Sequence, residues 1–348
     1  MQKPGLLMIG NFLSAGISHR WVCEDVAELL AERGWTVYRT SRRVNRPLRL
    51  AEMMLHPALW SAKYQVATVD VFSGRSFLWA EAATLCLRWL AKPYVLVLHG
   101  GGLLDWGASY PKRITRLLAH ATAIITPSQR LAEGFRTVRS DIRYLPNGIK
   151  IAAYAFRLRA KPSPRICWLR ALDRIYNPEM ALRALALLLP EFPEATLELY
   201  GRTRDARTGA SLRKMITDSG LDGHVRLMGV IPKDRVPSAL SRSDVFLNTT
   251  RFESFGVSVM EAAASGLCIV CTAVGEIPLL WTHERDALLV PPDDAEAMAA
   301  AVRRILTEPG LAARLSENAR RKAEQFDWSI VLPQWEQLLL EVADRGRS

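Results

Sequence analysis

The chain has 348 residues, 49% of them apolar and 23% charged, and a net charge of +11. At near twice the usual domain size it can bury two medium cores, and two domains are expected. The longest apolar region, from Ala82 to Leu98, is broken by Arg88, Lys92 and Pro93, which excludes one membrane-crossing helix and reads as a helix, a turn and a strand.

From the N-terminus, short β-rich runs alternate with helical patterns: LLMIGNF, RWVCEDVAELLAERG, WTVYRT, YQVATVDVF, YVLVLHG, TAIITPS and IRYLPNG. That rhythm predicts a parallel sheet with helices on both faces. LLMIG is only strand length and meets Asn11 at once, so it does not read as a leader, and a cytoplasmic protein is expected. After the Pro- and Lys/Arg-rich residues 157–164 the rhythm restarts with RICWLR, PEMALRALALLLPEFP, ATLELYG, VRLMGV, DVFLNT, LCIVCTA and ALLVPP. The sequence thus predicts an N-terminal Rossmann-like domain over 1–156, a linker over 157–164 and a second one over 165–325. A C-terminal helix over 326–348 is expected to pack back towards the first domain. In LCIVC, strand geometry would point Cys268 and Cys271 to opposite faces, which favours buried thiols in a reducing compartment over a zinc site.

The charge is uneven. Residues 1–150 hold 20 Lys and Arg against 10 Asp and Glu, or +10. The densest piece, RTSRRVNRPLRL, carries Arg39, Arg42, Arg43, Arg46 and Arg49, and is followed by AEMMLHPALW with Met53, Met54, Leu55, Leu59 and Trp60. A solvated basic loop is one reading. Contact with an anionic membrane is the other. No nucleic-acid motif accompanies the basic half, and nucleic acid is not an expected partner.

Ligands of doubly wound sheets bind beyond the carboxyl ends of the strands. Four such places carry polar or glycine-rich residues: GNFLSAGISHR, LHGGG, LRALDRIYNP and TTRFESFG. The last is the most specific. Glu253 falls in a loop after the strand DVFLN, Gly256 permits close backbone approach, and Glu261 falls one to two turns into the following helix. A helix N-terminus offers N–H groups to an anion and carboxylates accept from sugar hydroxyls, so the pair suits a polyhydroxylated, phosphorylated ligand.

The run ESFGVSVME from Glu253 to Glu261 resembles the E-x7-E signature of retaining family 4 glycosyltransferases, whose GT-B fold sets two Rossmann-like domains facing across a cleft. LPNGI at 145–149, AVGEIPLL, ALLVPPDDAEAMAAAV and FDWSIV resemble, in order, further segments of that family, so the likeness runs over nearly the whole chain. The resemblance implies a transferase moving a sugar from a UDP- or GDP-sugar to a glycan or lipid-linked acceptor in cell-surface polysaccharide biosynthesis. It implies that Glu261 accepts the ribose hydroxyls and Glu253 holds the transferred sugar, with the backbone at Phe255, Gly256 and Val257 close to the donor. Arg170 would bind the diphosphate and stabilise the leaving group. His99 in VLHG would contact the donor sugar, and Gly16 in the first loop would lie among the donor-binding residues. The family's lysine beyond the arginine is absent from LRALDRIYNP, where Arg174 is the nearest cation, either substituting for it at the donor phosphates or turned into solvent. Glu276 replaces the second glycine of the family's V-G-G-x-P-E loop, either taking a polar role or facing water.

Retaining transfer of this kind needs no protein nucleophile: the acceptor attacks from the face the diphosphate leaves, and the protein supplies positioning and charge. No D-x-D clamp follows a strand, so no obligatory metal or cofactor is expected. An epimerase or phosphorylase of the same fold, an inactive partner subunit and an anionic-surface binder stay open as alternatives. The expected location is the cytoplasm, with peripheral contact at the inner face of the membrane.

Overall fold

The structure, a computed structural model, describes residues 3–13, 21–203 and 205–346. Its chain divides into two compact units, one running to Gly148 and resuming at Trp328, the other Ile149–Asp327.

In the first unit six parallel strands, β1 (Leu6–Ile9), β2 (Val37–Thr40), β3 (Val66–Val71), β4 (Tyr94–Leu98), β5 (Ala123–Thr126) and β6 (Arg143–Tyr144), lie in the order 2-1-3-4-5-6. The helices are α1 (Val22–Glu32), α2 (Arg46–Leu59), α3 (Phe77–Trp89), α4 (Leu103–Ser109), α5 (Pro111–Ala119) and α6 (Gln129–Gly134). Every residue of β4, YVLVL, is buried, as in parallel strands covered on both faces. Asn45 starts α2 by accepting from the Leu48 amide at 3.3 Å, with proline in the first turn.

The second unit repeats the plan with β7 (Arg165–Leu169), β8 (Thr196–Tyr200), β9 (Val225–Gly229), β10 (Val245–Asn248), β11 (Cys268–Thr272) and β12 (Leu288–Val290), in the order 12-11-10-7-8-9. Its helices are α7 (Pro178–Leu188), α8 (Ala206–Asp218), α9 (Val236–Ser241), α10 (Val257–Ala264), α11 (Ile277–Leu280), α12 (Ala295–Thr307) and α13 (Leu311–Glu324). Cys268 and Cys271, both in β11, enter the cores on opposite faces of the sheet. All five cysteines are free thiols.

The last helix, α14 (Trp328–Arg345), belongs to the first unit. Its buried stripe of Trp328, Val331, Leu332, Trp335, Leu338, Leu339 and Val342 joins the core formed with α1 and Trp35. Glu336 fixes its position, accepting from Trp35 Nε1 at 2.9 Å, from Arg33 Nη1 at 2.7 Å and from Lys3. Burial of that carboxylate is outweighed by these three donors, and its pKa is pulled down to about 2.

The units divide at Gly148/Ile149 and Asp327/Trp328, not at the expected 156 and 325. Ile149, Ile151 and Tyr154 bury themselves in the second unit's core, and the Ile151 amide donates to Asp327 Oδ2 at 3.0 Å. Residues 157–164 are also no free linker. Arg159 is fully buried, and Arg157, Arg159 and Arg165 converge on the buried carboxylate of Asp244.

Candidate functional site

In the second unit the strand order reverses between β7 and β10, the place where an open α/β sheet leaves a crevice beyond its strand ends. Arg170 directly follows β7. Glu253 lies in the loop that follows β10. Because the two strands are parallel neighbours, these residues reach the same sheet edge, and Arg170 Nη2 donates to Glu253 Oε2. Glu253 also accepts from the amides of Ser254 at 3.1 Å and Phe255 at 3.4 Å through Oε1, and from Asn248 Nδ2 at 3.5 Å. Burial holds the Arg170 guanidinium below its ordinary pKa. The guanidinium lies over the Tyr176 ring at 5.2 Å, and its Nε is buried without a hydrogen-bond partner.

The loops carrying these groups are tied to each other. Trp168 Nε1 donates to Thr249 Oγ1 at 2.9 Å, and that hydroxyl turns to the carbonyl of Asn177 at 2.8 Å. Arg251 bonds Asp293 and the carbonyl of Arg174. Beneath Glu253 runs the loop before α11. Gly275 has φ +58°, and a β-carbon there would stand 1.9 Å from the Glu253 carbonyl oxygen. The next residue, Glu276, is buried and donates its amide to that carbonyl at 3.1 Å, so it does not face water.

Helix α10 starts at a left-handed glycine, Gly256, with φ 88° and ψ 48°. No side chain caps its first turn, and the Ser258 hydroxyl is buried with no partner. A helix start in this state presents donors to an anion. Phe255 is a core side chain, packed edge-on against Phe326 at 5.8 Å, so only its backbone is available to a ligand. Val257 is half-buried as the first helical residue. Glu261 sits four residues on, about 6 Å along the axis, and is 3% exposed. Its Oε1 accepts from both the Tyr154 hydroxyl and Lys233 Nζ, each at 2.5 Å.

In the first unit His99 follows β4 and stacks on Phe72 at 5.0 Å. Its Nε2 lies 3.1 Å from Asp70 Oδ1. A neutral ring donating from Nε2 keeps Nδ1 as an acceptor.

The structure thus gathers Arg170, Glu253, Phe255, Gly256, Val257 and Glu261 in the second unit. Arg174 is exposed in the turn before α7 and offers its backbone carbonyl, not its charge, to the loops. Gly16 lies outside the described residues. Sequence reasoning missed Tyr154, Asn248 and Lys233, and considered Asp70 only as a general base, a role for which it has no motif support. Asp70 had a signal as the one carboxylate in the buried strand VATVDV, and Lys233 as a cation soon after the end of β9. Tyr154 had none. Among the described residues no cluster of three or more His, Cys, Asp and Glu side chains could hold a metal. No described helix is long and apolar enough to cross a membrane.

The basic segment differs from its expected form. Arg49 is buried, bonded to Asn11 and to the carbonyls of Arg43 and Val44, with its guanidinium over Trp79 at 5.1 Å. Met53 is buried and Trp60 stacks on His56 at 4.1 Å. Arg42, Arg43 and Arg46 remain exposed, and so do Leu48, Met54, Leu55 and Leu59. Helix α3 packs beside α2 and exposes Leu78, Leu85 and Trp89, the last at 83%. Leu48, Leu55 and Leu59 have the same seven-then-four spacing as Leu78, Leu85 and Trp89, one outward stripe per helix.

Residues 8–153 match the family model for glycosyltransferase family 4, and residues 154–322 match that for glycosyl transferases group 1. A phosphatidyl-myo-inositol mannosyltransferase of Mycolicibacterium smegmatis is 30% identical over 56% of this chain and 50% of its own. A GDP-mannose:cellobiosyl-diphosphopolyprenol alpha-mannosyltransferase of Xanthomonas campestris is 27% identical over 69% of this chain and 66% of its own. HepE of Anabaena, solved with UDP and glucose, superposes with a TM-score of 0.79 at 17% identity, covering 97% of this chain and 100% of that one. The chain spans only 26% to 50% of the length of the curated relatives it first matches.

Proposed function

The chain belongs to the group 1, family 4 glycosyltransferases and has their GT-B fold, and on that premise we propose that it is a retaining hexosyltransferase. It takes a UDP- or GDP-sugar as donor and a glycan or lipid-linked acceptor in cell-surface polysaccharide assembly. The observation that carries this reading is the convergence of Arg170, Glu253 and the uncapped start of α10 at the β7/β10 reversal, with Glu261 one turn further on.

In this reading the diphosphate lies on the α10 N-terminus, where Arg170 adds a charged fork to the backbone amides and the Ser258 hydroxyl. Glu261 keeps Oε2 as the open acceptor for ribose. Glu253, its carboxylate already fixed by two amides, takes sugar hydroxyls. His99 bonds a sugar hydroxyl through Nδ1, with Asp70 holding the ring. The acceptor hydroxyl attacks from the face the diphosphate leaves, a phosphate oxygen takes its proton, and Arg170 steadies the charge growing on the leaving group. Every role asks for position and charge. None asks for a protein nucleophile.

The acceptor side rests on the exposed stripes of α2 and α3 beside Arg42, Arg43 and Arg46, a mixture suited to the headgroup region of an anionic bilayer. The two mannosyltransferase relatives are named for lipid-borne acceptors, which agrees with a peripheral location.

Thermal unfolding of the purified chain with UDP-, GDP- and ADP-sugars tests the donor, since a ligand at 100 times its Kd raises stability by about 2.7 kcal/mol. NMR of the product then gives the anomeric configuration. No stabilisation by any of them, or an inverted product, removes this reading.

A further inference from the structure

We propose that Lys233 reads the ribose of the donor nucleotide, donating to a hydroxyl oxygen of the 2′,3′-diol while Glu261 accepts from the diol, so that the site selects ribonucleotides over deoxyribonucleotides. The proposal rests on Glu261 being the ribose-binding carboxylate.

Lys233 opens a one-turn 3₁₀ helix, Lys233–Arg235, set by Pro232, whose carbonyl accepts from the Arg235 amide at 2.9 Å. The turn follows β9, so it too stands at a strand end. From there the side chain reaches Glu261, and its ammonium shares Oε1 with the Tyr154 hydroxyl. The two donors are not equivalent. Tyr154 is buried and its single proton is committed to Oε1. The Lys233 side chain is 49% exposed and its ammonium has three protons, of which the carboxylate takes one.

A vicinal diol is both donor and acceptor. A lone carboxylate can take its protons but gives nothing to its oxygens, whereas a carboxylate with an ammonium at its rim does both. A ribose settling on Oε2 would bring its oxygens to the protons of Lys233 that point away from Oε1. Removing one hydroxyl would leave a charged donor and a buried carboxylate short of a partner, the arrangement that rejects a deoxy analogue most strongly. The bland alternative, that Lys233 only neutralises Glu261, predicts that removing Lys233 weakens every nucleotide alike and leaves unchanged the ratio that Glu261 alone would set.

The test is calorimetric titration of the full chain with UDP, 2′-deoxy-UDP and 3′-deoxy-UDP, and with the GDP series, for wild type, Lys233→Met and Lys233→Arg. Wild type should bind the ribonucleotide about tenfold more tightly than at least one deoxy analogue. Lys233→Met should lower that ratio by about threefold or more, the remainder being what Glu261 alone discriminates, and Lys233→Arg should keep most of it. Thermal unfolding checks that the half-exposed substitution leaves the fold intact. An unchanged ratio in Lys233→Met overturns the proposal while leaving the donor site standing. Failure of wild type to bind either UDP or GDP overturns both.

Discussion

Arg170 donates to Glu253 across the seam between β7 and β10, joining the residue proposed for the diphosphate to the residue proposed for the sugar. The pair is mostly buried, and a buried pair deprived of one partner typically costs about 3–5 kcal/mol. A donor lying on both residues would exchange this contact for its own phosphate and hydroxyl groups. The unliganded pair therefore keeps both side chains aimed at the place where ligand chemistry is expected.

Arg170→Ala should lower turnover by about 100-fold or more, the usual scale for losing a group that stabilises a developing anion. It should also lower the unfolding temperature, because Glu253 is left buried with only Asn248 and two amides. Arg174→Ala should change turnover less than about threefold, since that side chain is exposed and only its carbonyl is engaged. Steady-state kinetics on both variants decides. A more severe effect at Arg174 would move the diphosphate site along the loop.

Glu261→Ala should weaken free nucleoside diphosphate by about 10- to 100-fold, the range for one hydrogen bond to a charged group. Glu253→Ala should leave that affinity within about threefold and lower transfer instead. Calorimetry with UDP or GDP, beside turnover with the sugar donor, separates the two roles. Equal loss of nucleotide binding in both variants would undo the assignment.

Much of this site was legible in the sequence because parallel strands buried on both faces read as unbroken apolar runs, so RICWL and VFLN announced their own carboxyl ends. A polar residue just past such an end is a candidate by position, and that rule marked the loops that hold Arg170, Glu253 and His99, while the roles expected of these residues came from the family resemblance. The same logic was silent on Tyr154. Its side chain belongs to the second unit's core and its hydroxyl meets Glu261 107 residues away, a contact fixed by the tertiary fold and not by any local period. The unit boundary at Gly148 was hidden for a related reason: Ile149 and Ile151 are apolar whichever core receives them.

Acid should weaken the hold of Glu336 on α14. Glu336 is held by Trp35, Arg33 and Lys3, with its folded pKa near 2 against an ordinary value of 4.5. A depressed carboxylate contributes stability that is present above the unfolded pKa and is lost as pH falls through the folded one. The contribution, about 3 kcal/mol, should thus fade between about pH 4.5 and 2. Glu336→Gln should lower stability at pH 7 by a similar amount and flatten the acid limb. Urea unfolding across that pH range, followed by tryptophan fluorescence, measures it, and an acid limb as steep as wild type would remove Glu336 as its cause.

The membrane claim turns on two forces that respond differently to salt. Arg42 and Arg46 each add about 1 kcal/mol near an anionic surface, whereas Arg43 is paired with Glu52 at 2.9 Å, and screening removes this contribution over a Debye length of about 10 Å at 0.1 M. Leu55, Leu59, Leu85 and Trp89 bury apolar area in the interface whatever the salt, at about 25 cal/mol per Å². Flotation with anionic liposomes should therefore show strong binding at low salt and weaker, residual binding at high salt, with little binding to neutral liposomes. Arg42→Ala with Arg46→Ala should abolish the salt-sensitive part. Leu59→Ser with Trp89→Ser should abolish the binding that salt leaves behind. The second pair matters most, because exposed arginines alone would attract any polyanion, whereas a loss caused by removing two exposed apolar side chains on neighbouring helices requires an apolar medium to receive them. Equal flotation with both lipids, or with neither, would leave the stripes for a protein surface instead.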